Sequence, residues 1–263
     1  MDVAYGRPVL LDLQISPSAN DWPRLLDCTL TAEASGYSTT WLLDHFDGSL
    51  FGGQGMLECF TLAGAIAAST STIGIGSMVA NIANRHPALL ASAAASAQAI
   101  SAGRFTLGIG AGSAPGSRWG SEHDALGIPL APTVDERHAA LLAQLDVIDE
   151  LWAADRPAKV AGMALPVPRP PVFVGVNGTA LARLAGRYAD GVNVRLSHPR
   201  AREVLEAARE AAGGRPFTIT AWTHWERELT DPDSEAFRHH ATYLDRLVLS
   251  DLGPVRPEQF ERR

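Results

Sequence analysis

Short apolar segments of strand length alternate with segments of helical periodicity along almost the whole chain. This alternation is typical of a parallel sheet whose strands are joined by crossover helices. The predicted strands are residues 9–14, 39–43, 72–79, 104–109, 171–176, 192–194, 217–222 and 246–250. Eight such units fit a closed (β/α)8 TIM barrel better than an open sheet, and 263 residues suit that fold. We therefore predict a single α/β domain over residues 1–263.

Helical periodicity, together with residues typical of helix ends, locates the predicted helices between these strands. Pro87 suits the first turn of an alanine-rich helix, and Gly103 suits its end. Thr133 and Glu136 form a capping box at the start of a later helix. The remaining predicted helices cover residues 23–35, 57–69, 180–189, 199–212 and 232–243. Residues 113–130 are predicted to be a loop and residues 154–170 a proline-rich connector.

The charge balance narrows the classes of partner. The net charge is −7 and no block of basic residues occurs, so we expect neither nucleic acid nor a membrane surface as partner.

The sequence shows no signal region and no run of eighteen apolar residues. Cys28 and Cys59 lie in apolar segments and are expected to be buried free thiols. We predict a cytoplasmic protein.

In a TIM barrel, ligands bind where the strands end at their carboxyl side. We call this end of the barrel the mouth. The residues predicted to surround it are Gln14, residues 44–46, Ser77, Met78, residues 110–112, residues 175–179, Asn193 and residues 222–224. His45 is the best candidate for proton chemistry, because imidazole titrates near neutrality, and the adjacent Asp44 could bias it or bind a substrate. A structural role for a strand-end histidine remains the alternative.

Two glycine-containing turns follow the predicted fourth and fifth strands. The first contains Gly110, Ala111, Gly112 and Ser113, and the second contains Gly175, Asn177, Gly178 and Thr179. Backbone N–H groups in such turns can approach an anion closely, and a helix that begins there attracts phosphate. Thr179 could instead cap that helix in an ordinary turn. Two such turns in one barrel suggest a phosphorylated ligand.

Other site classes fit the sequence poorly. His239 and His240 lack partners at metal-ligand spacing, and the first strand carries Asp12-Leu13-Gln14 where metal-dependent hydrolases of this fold usually carry His-x-His. We therefore predict no metal site. A Rossmann dinucleotide site needs its glycines after the first strand, whereas here they follow the fourth.

Several stretches, taken together, resemble the luciferase-like monooxygenase superfamily. They include TTWLLDHF at residues 39–46, NRHPALLASAAASAQAISAGRFTLGIGAG at residues 84–112 and PPVFVGVNGTALARLAGRYADGVNV at residues 170–194. They occur in the family's order over nearly the whole chain. The resemblance implies a TIM barrel, often a homodimer, that binds FMN or the deazaflavin coenzyme F420 at the mouth.

The resemblance also implies roles for the residues at the mouth. His45, with Asp44 beside it, matches the active-site histidine. Ser77 and Met78 match a bulge of the third strand that lies under the cofactor ring and often contains a non-proline cis peptide. The two glycine turns, residues 110–113 and 175–179, match the loops around the ribityl chain and the phosphate.

The implied activity is hydride transfer between the ring and a small organic substrate. The motif Asp44-His45-Phe46 resembles the F420-dependent branch of the family more than the FMN-dependent branch. Both cofactors remain possible from the sequence. One alternative is an FMN-dependent monooxygenase that uses O2 and flavin reduced by a separate reductase. Another is a flavin-binding protein without catalysis. The segments before residue 171 and between residues 223 and 246 are shorter than in most members, and little chain follows the last strand. The site is therefore expected to be open or completed by a partner subunit.

Overall fold

A computed structural model describes residues 8–262 of the chain. It contains one nine-stranded sheet in which the strand pairings are parallel. The strands are β1 (Leu10–Ile15), β2 (Thr39–Leu42), β3 (Gly74–Ser77), β4 (Ala80–Asn81), β5 (Phe105–Gly110), β6 (Val172–Val176), β7 (Gly191–Arg195), β8 (Thr218–His224) and β9 (Arg246–Asp251).

The strands close into a barrel. The order β3-β2-β1-β9-β8-β7-β6-β5 returns to its start because β3 also pairs with β5. The short β4 pairs with β5 beyond the end of β3, so β3 and β4 are two parts of one interrupted strand. The result is an eight-stranded parallel barrel, which confirms the predicted TIM-barrel fold.

The α-helices lie between successive strands. They are α1 (Trp22–Ala34), α2 (Cys59–Ser69), α3 (Pro87–Ile100), α4 (Ser121–Leu126), α5 (Val134–Trp152), α6 (Thr179–Tyr188), α7 (Ala201–Ala212) and α8 (Glu235–Ala241). After β9, the described chain forms a 3-10 helix, Pro257–Phe260, that packs against α1. Gly103 has a φ of +91° at the end of α3, and the Thr133–Glu136 capping box is present, as predicted.

Two local predictions were wrong. Residues 113–130 are not all loop, because they contain the 3-10 helix Arg118–Gly120 and the helix α4. Six residues are too few to show helical periodicity, although Gly127 ends α4 with a φ of +67°. Thr179 does not cap α6. It is the first helical residue, and the N-cap is Gly178, which has no side chain to bond the helix.

The third strand is interrupted, where the sequence predicted a continuous strand over residues 72–79. A non-proline cis peptide joins Met78 to Val79 between β3 and β4. Met78 O accepts a hydrogen bond of 2.9 Å from Nε2 of Gln14, and Ser77 Oγ donates to the carbonyl of Gly108 at 2.7 Å. The predicted bulge with its cis peptide is therefore present, and neighbouring strands hold it on both sides.

Large side chains fill the barrel interior where glycines make room for them. A Cβ atom at Gly76 would lie 2.4 Å from the Trp41 ring, and one at Gly191 would lie 2.6 Å from the Phe173 ring. Trp41 also donates its Nε1 hydrogen to the buried carboxylate of Asp12 at 2.9 Å. Side chains thus fill the interior of the barrel below the mouth, as expected for a barrel of eight strands.

Candidate active site

His45 lies at the mouth, just beyond the end of β2, and a buried carboxylate holds it. Its Nδ1 is 2.8 Å from Oε1 of Glu122, whose side chain is 1% exposed. The other oxygen of Glu122 accepts the backbone N–H groups of Phe46 at 2.7 Å and Asp47 at 3.0 Å. Glu122 on α4 therefore fixes both the imidazole and the backbone that carries it.

The hydrogen bond to Glu122 decides which ring nitrogen of His45 is available. A carboxylate accepts hydrogen bonds, so Nδ1 of a neutral His45 carries the proton and Nε2 has a free lone pair. Within residues 8–262, Nε2 has no hydrogen-bonding partner, and the side chain is 21% exposed. Nε2 can thus exchange a proton with a ligand at the mouth.

The carboxylate of Asp44, next to His45 in the chain, is buried and bonds other residues, and its predicted part in catalysis stays a prediction. Its two oxygens receive the Nη1 and Nη2 groups of Arg85, each at 2.7 Å. One oxygen also accepts the backbone N–H of Asn81 at 2.8 Å and the side-chain amide of Asn84 at 3.2 Å. Asp44 therefore ties the end of β2 to the segment before α3, and the carboxylate that pairs with His45 is Glu122.

His123, next to Glu122, lies in the same network. Its side chain is buried, and Nε2 is 2.8 Å from Oδ1 of Asn84. Burial holds the pKa of His123 below its ordinary value, although the charge of Glu122 opposes this shift. His123 is therefore neutral at pH 7 and does not neutralise Glu122, so the carboxylate remains available to His45.

Two aromatic side chains contact the imidazole of His45. The Phe51 ring meets it edge-on with centroids 4.8 Å apart, and the Trp119 ring lies 5.8 Å away. Phe51 and Trp119 are themselves 5.7 Å apart. They come from different loops, after β2 and after β5, and give His45 an apolar surround on one side.

The interrupted strand explains two of the predicted glycines. A Cβ atom at Gly110 would lie 2.7 Å from Val79 Cγ2, and one at Gly175 would lie 2.9 Å from Val79 Cγ1. Gly110 and Gly175 are strand residues that make room for Val79, so they do not lie in loops as the sequence predicted, and their contact with a cofactor stays a prediction. Ser77 and Met78 are buried beside them at the bulge.

The remaining turn residues stay open to solvent or ligand. Gly112 has a φ of +83° in the segment after β5 that also holds Ala111 and Ser113. At the start of α6, a Cβ atom at Gly178 would meet nothing within 4 Å, and no side chain caps the helix. Its first N–H groups, beside Asn177 and Thr179, are therefore available to an anion.

Two buried polar groups in the barrel lack a partner. Asn193 on β7 and Thr220 on β8 are paired in register, and their neighbours Val192, Val194 and Ile219 face the outer helices. Because side chains alternate along a strand, Asn193 and Thr220 point into the barrel. Among the described residues, Asn193 Nδ2 and Thr220 Oγ1 have no hydrogen-bonding partner. Buried polar atoms usually have one, so a ligand atom or water below the mouth fits them.

The other predicted strand-end residues lie at the same end of the barrel. Gln14 links the bulge to β9 through a hydrogen bond of 2.8 Å from Ser250. Trp222 packs against the interior cluster, its ring covered by the guanidinium of Arg195, whereas His224 is exposed. The parallel pairing thus places the predicted ring of residues on one face of the molecule.

Glu122 is the residue of the candidate site that sequence reasoning missed. It lies 77 residues from His45 along the chain, in a segment predicted to be loop. The sequence feature that could have indicated it is the acidic residue of the segment Ser121-Glu122-His123, which lies shortly before Gly127, a glycine that ends a helix.

The sequence profile described as luciferase-like monooxygenase matches residues 4–258. The chain belongs to the luciferase-like monooxygenase family.

Two curated relatives illustrate how far the similarity in sequence extends. The chain is 33% identical over 196 residues to an F420-dependent glucose-6-phosphate dehydrogenase of Beutenbergia cavernae, covering 69% of this chain and 56% of that protein. It is 30% identical over 190 residues to a 5,10-methylenetetrahydromethanopterin reductase of Methanolobus tindarius, covering 70% and 52%. The chain therefore spans about half the length of the curated relatives that it matches.

Solved structures of the family share the fold. An F420-dependent secondary alcohol dehydrogenase in complex with an F420–acetone adduct superposes with a TM-score of 0.75, at 18% identity, over 97% of both chains. The F420-dependent tetrahydromethanopterin reductase of Methanopyrus kandleri gives a TM-score of 0.71, also at 18% identity and over 97% of both chains. At 18% sequence identity, the similarity to these structures shows that the fold is shared and nothing more.

Three further features of residues 8–262 concern metal ligands, membrane-spanning helices and cysteines. No group of three or more histidine, cysteine, aspartate or glutamate side chains is arranged to hold a metal ion. None of the helices in this range has both the length and the apolar composition needed to cross a membrane. Cys28 and Cys59 are buried and free, and burial raises the pKa of Cys28 to about 11.

Proposed function

We propose that the chain is an F420-dependent oxidoreductase that transfers hydride between the deazaflavin ring and a small organic substrate at the mouth of the barrel. The observation that carries this proposal is the His45–Glu122 pair, which leaves Nε2 of His45 free beside the strand-three bulge. The names of its relatives, which include F420-dependent dehydrogenases and a reductase, support F420 over FMN.

The residues at the mouth fit such a cofactor. Met78 and Val79 would support the ring, and the segment Ala111 to Ser113 would lie along the ribityl chain. The uncapped start of α6 at Gly178 would receive the phosphate. From the barrel interior, below the mouth, Asn193 and Thr220 offer polar groups that have no hydrogen-bonding partner among the described residues. When bound, the deazaflavin supplies the carbon that accepts or donates hydride.

The protein supplies the proton transfer and the orientation. Glu122 holds Nδ1 of His45, so Nε2 takes the proton that a substrate loses during oxidation and returns it during reduction. Phe51 and Trp119 restrict access of water to one side of the imidazole. A homodimer, a cytoplasmic location and a separate enzyme that regenerates the cofactor belong to the same proposal.

Ring fluorescence during separate titrations of the apo protein with F420 and FMN tests the cofactor. We expect F420 to bind at least ten-fold more tightly than FMN. Preference for FMN would replace the proposal with a flavin-dependent monooxygenase, for which O2 consumption is the next assay. Binding without any turnover of reductant would indicate a non-catalytic flavin-binding protein. If neither cofactor binds below roughly 100 μM, about −5.5 kcal/mol, the proposed function is wrong.

A further inference from the structure

Arg195, at the end of β7, is a cation at the mouth of the barrel whose charge no protein group neutralises. Its side chain is exposed, and among the described residues its guanidinium has neither a carboxylate nor a hydrogen-bonding partner. It lies instead over the Trp222 ring, with its central carbon 5.2 Å from the ring centroid. Arg200, from the loop that follows β7, is by contrast paired with Glu203 at 3.1 Å.

The side chain of Arg195 lies on the inner side of the barrel wall. Val192 and Val194 pack towards the outer helices, and side chains alternate along a strand, so Asn193 and Arg195 lie on the inner face of β7. Trp222 on β8 is paired in register with Arg195 and packs against the side-chain cluster in the barrel interior. The guanidinium is therefore on the β8 side of β7, away from β6 and the start of α6.

The strand order places Arg195 across the mouth from His45. In the closed ring of eight strands, β7 is four strands from β2 in either direction, and β8 is four strands from β3. His45 follows β2, and Trp222 belongs to the same interior cluster as Met78 and Val79 of the bulge. A barrel of eight strands has room for one small ligand. A molecule held by Arg195 would therefore extend over the bulge towards His45.

A second donor on the inner face of β7 also lacks an acceptor. Asn193, two residues before Arg195, is 5% exposed, and its Nδ2 has no hydrogen-bonding partner within residues 8–262. Buried amide groups are normally paired. Two donors without acceptors on one strand indicate that a ligand with acceptor oxygens binds in this part of the mouth.

The chemistry of the guanidinium favours a carboxylate. The Trp222 ring covers one face of the guanidinium plane, so the N–H groups at its edge are left for a ligand. Two of them match the two oxygens of a carboxylate. A phosphate monoester carries about 1.5 to 2 negative charges at pH 7, which a single guanidinium does not balance. Arg200 does not supply the second charge, because Glu203 already pairs with it.

We propose that Arg195, held against Trp222, binds a carboxylate of the substrate and thereby selects substrates that carry one. The inference rests on the proposed function in treating this ligand as a substrate. Arg195 acts in binding alone and takes no part in the transfer of hydride or of a proton.

Cyclohexanecarboxylate and cyclohexanecarboxamide form a matched pair of probes, because they have nearly the same shape and only the first is charged. Ligand-observed NMR titrations of the full chain, with and without F420, give a dissociation constant for each. We expect the carboxylate to bind at least ten-fold more tightly than the carboxamide. Cyclohexyl phosphate, the third probe, should bind no more tightly than the carboxylate.

Arg195→Gln should abolish the preference for the carboxylate, so that the two dissociation constants agree to within about two-fold, because both the charge and the paired donors are lost. Arg195→Lys should keep part of the preference, since it keeps the charge without the planar pair of donors. Arg200→Gln is the matched control, because it removes an arginine that Glu203 already neutralises, and it should leave the preference unchanged. Thermal unfolding verifies that each variant is folded.

Three results would overturn the inference. The first is equal binding of carboxylate and carboxamide by the unmodified chain, or equal effects of Arg195→Gln and Arg200→Gln on their ratio. The second is tighter binding of the phosphate probe that is lost in Arg195→Gln, which would indicate a phosphate site. The third is a ten-fold loss of F420 affinity in Arg195→Gln with an unchanged carboxylate preference, which would assign the guanidinium to the cofactor.

The titration with F420 separates this inference from the proposed function. If F420 fails to bind while the carboxylate preference depends on Arg195, the proposed function is wrong and the carboxylate site stands. If F420 binds and the carboxylate is not preferred, the inference about Arg195 is wrong and the proposed function stands.

Discussion

The imidazole of His45 and the carboxylate of Glu122 form one functional unit. Glu122 accepts three hydrogen bonds, one from the ring of His45 and two from the backbone of Phe46 and Asp47. A glutamine at position 122 would keep the size of the side chain but present an NH2 group to some of these donors. The pair therefore depends on the carboxylate and not on packing alone.

We expect His45→Ala to lower the rate of F420 reduction by roughly 10²-fold, the usual contribution of a general acid or base, while F420 affinity stays within a few-fold. Glu122→Gln should lower kcat by roughly 10-fold or more, because its single amide oxygen cannot accept both from the imidazole and from the backbone of Phe46 and Asp47, so the tautomer and orientation of His45 are no longer fixed. Steady-state assays at 420 nm and ring-fluorescence titrations measure both quantities.

Asp124→Asn is the matched control, since Asp124 lies on the same short helix with an exposed side chain. Its kcat should equal that of the unmodified protein. Equal kcat values for Glu122→Gln and Asp124→Asn would rule out the orienting role of Glu122, and unchanged turnover in His45→Ala would rule out proton transfer by His45.

No side chain caps the first turn of α6, and the same is true of α4 and α7. Gly178 leaves the N–H groups of that turn without a side-chain cap, and there is open space where its Cβ would stand. An uncapped helix start costs some stability but can bind a phosphate. We propose that the uncapped start of α6 binds the phosphate of the cofactor.

Gly178→Asp should change stability and cofactor affinity in opposite directions. The new carboxylate would cap α6 and interact favourably with the helix dipole, which should stabilise the fold by about 0.5 kcal/mol. It would also occupy the N–H groups and repel a phosphate, so F420 should bind at least ten-fold more weakly. Thermal unfolding and ring-fluorescence titration measure the two effects.

Gly178→Asn separates the cap from the charge, because asparagine caps a helix equally well without a negative charge. It should weaken F420 binding less than Gly178→Asp does. If Gly178→Asp binds F420 as tightly as the unmodified protein, the phosphate lies elsewhere.

The limits of prediction from sequence follow from these particular residues. His45 could be found because its residue type and its position after a strand are both visible in the sequence. Glu122 could not, because its role depends on a contact across 77 residues, made from a helix of six residues. Gly110 and Gly175 were predicted to lie in turns, because the sequence does not show that they are strand residues packed against Val79. The prediction of the bulge between β3 and β4 came from the resemblance to the family.

The barrel as a whole follows from the count and order of its strands. Each strand–helix unit was visible as an apolar segment followed by helical periodicity, and the parallel pairing of β3 with β5 closes the ring. The closure places residues from distant parts of the chain at one mouth. His45, the bulge at Met78 and the start of α6 at Gly178 thus lie at this end of the barrel, and that placement is the basis of the proposed function.

A crystal structure of the chain with F420 tests this account most directly. We predict the deazaflavin ring against Met78 and Val79, the phosphate at the first turn of α6, and the hydride-transferring carbon facing Nε2 of His45 across the space of one small substrate. Glu122 should still bond Nδ1 of His45. A ring bound away from the bulge, or with its reactive carbon turned away from His45, would contradict the account.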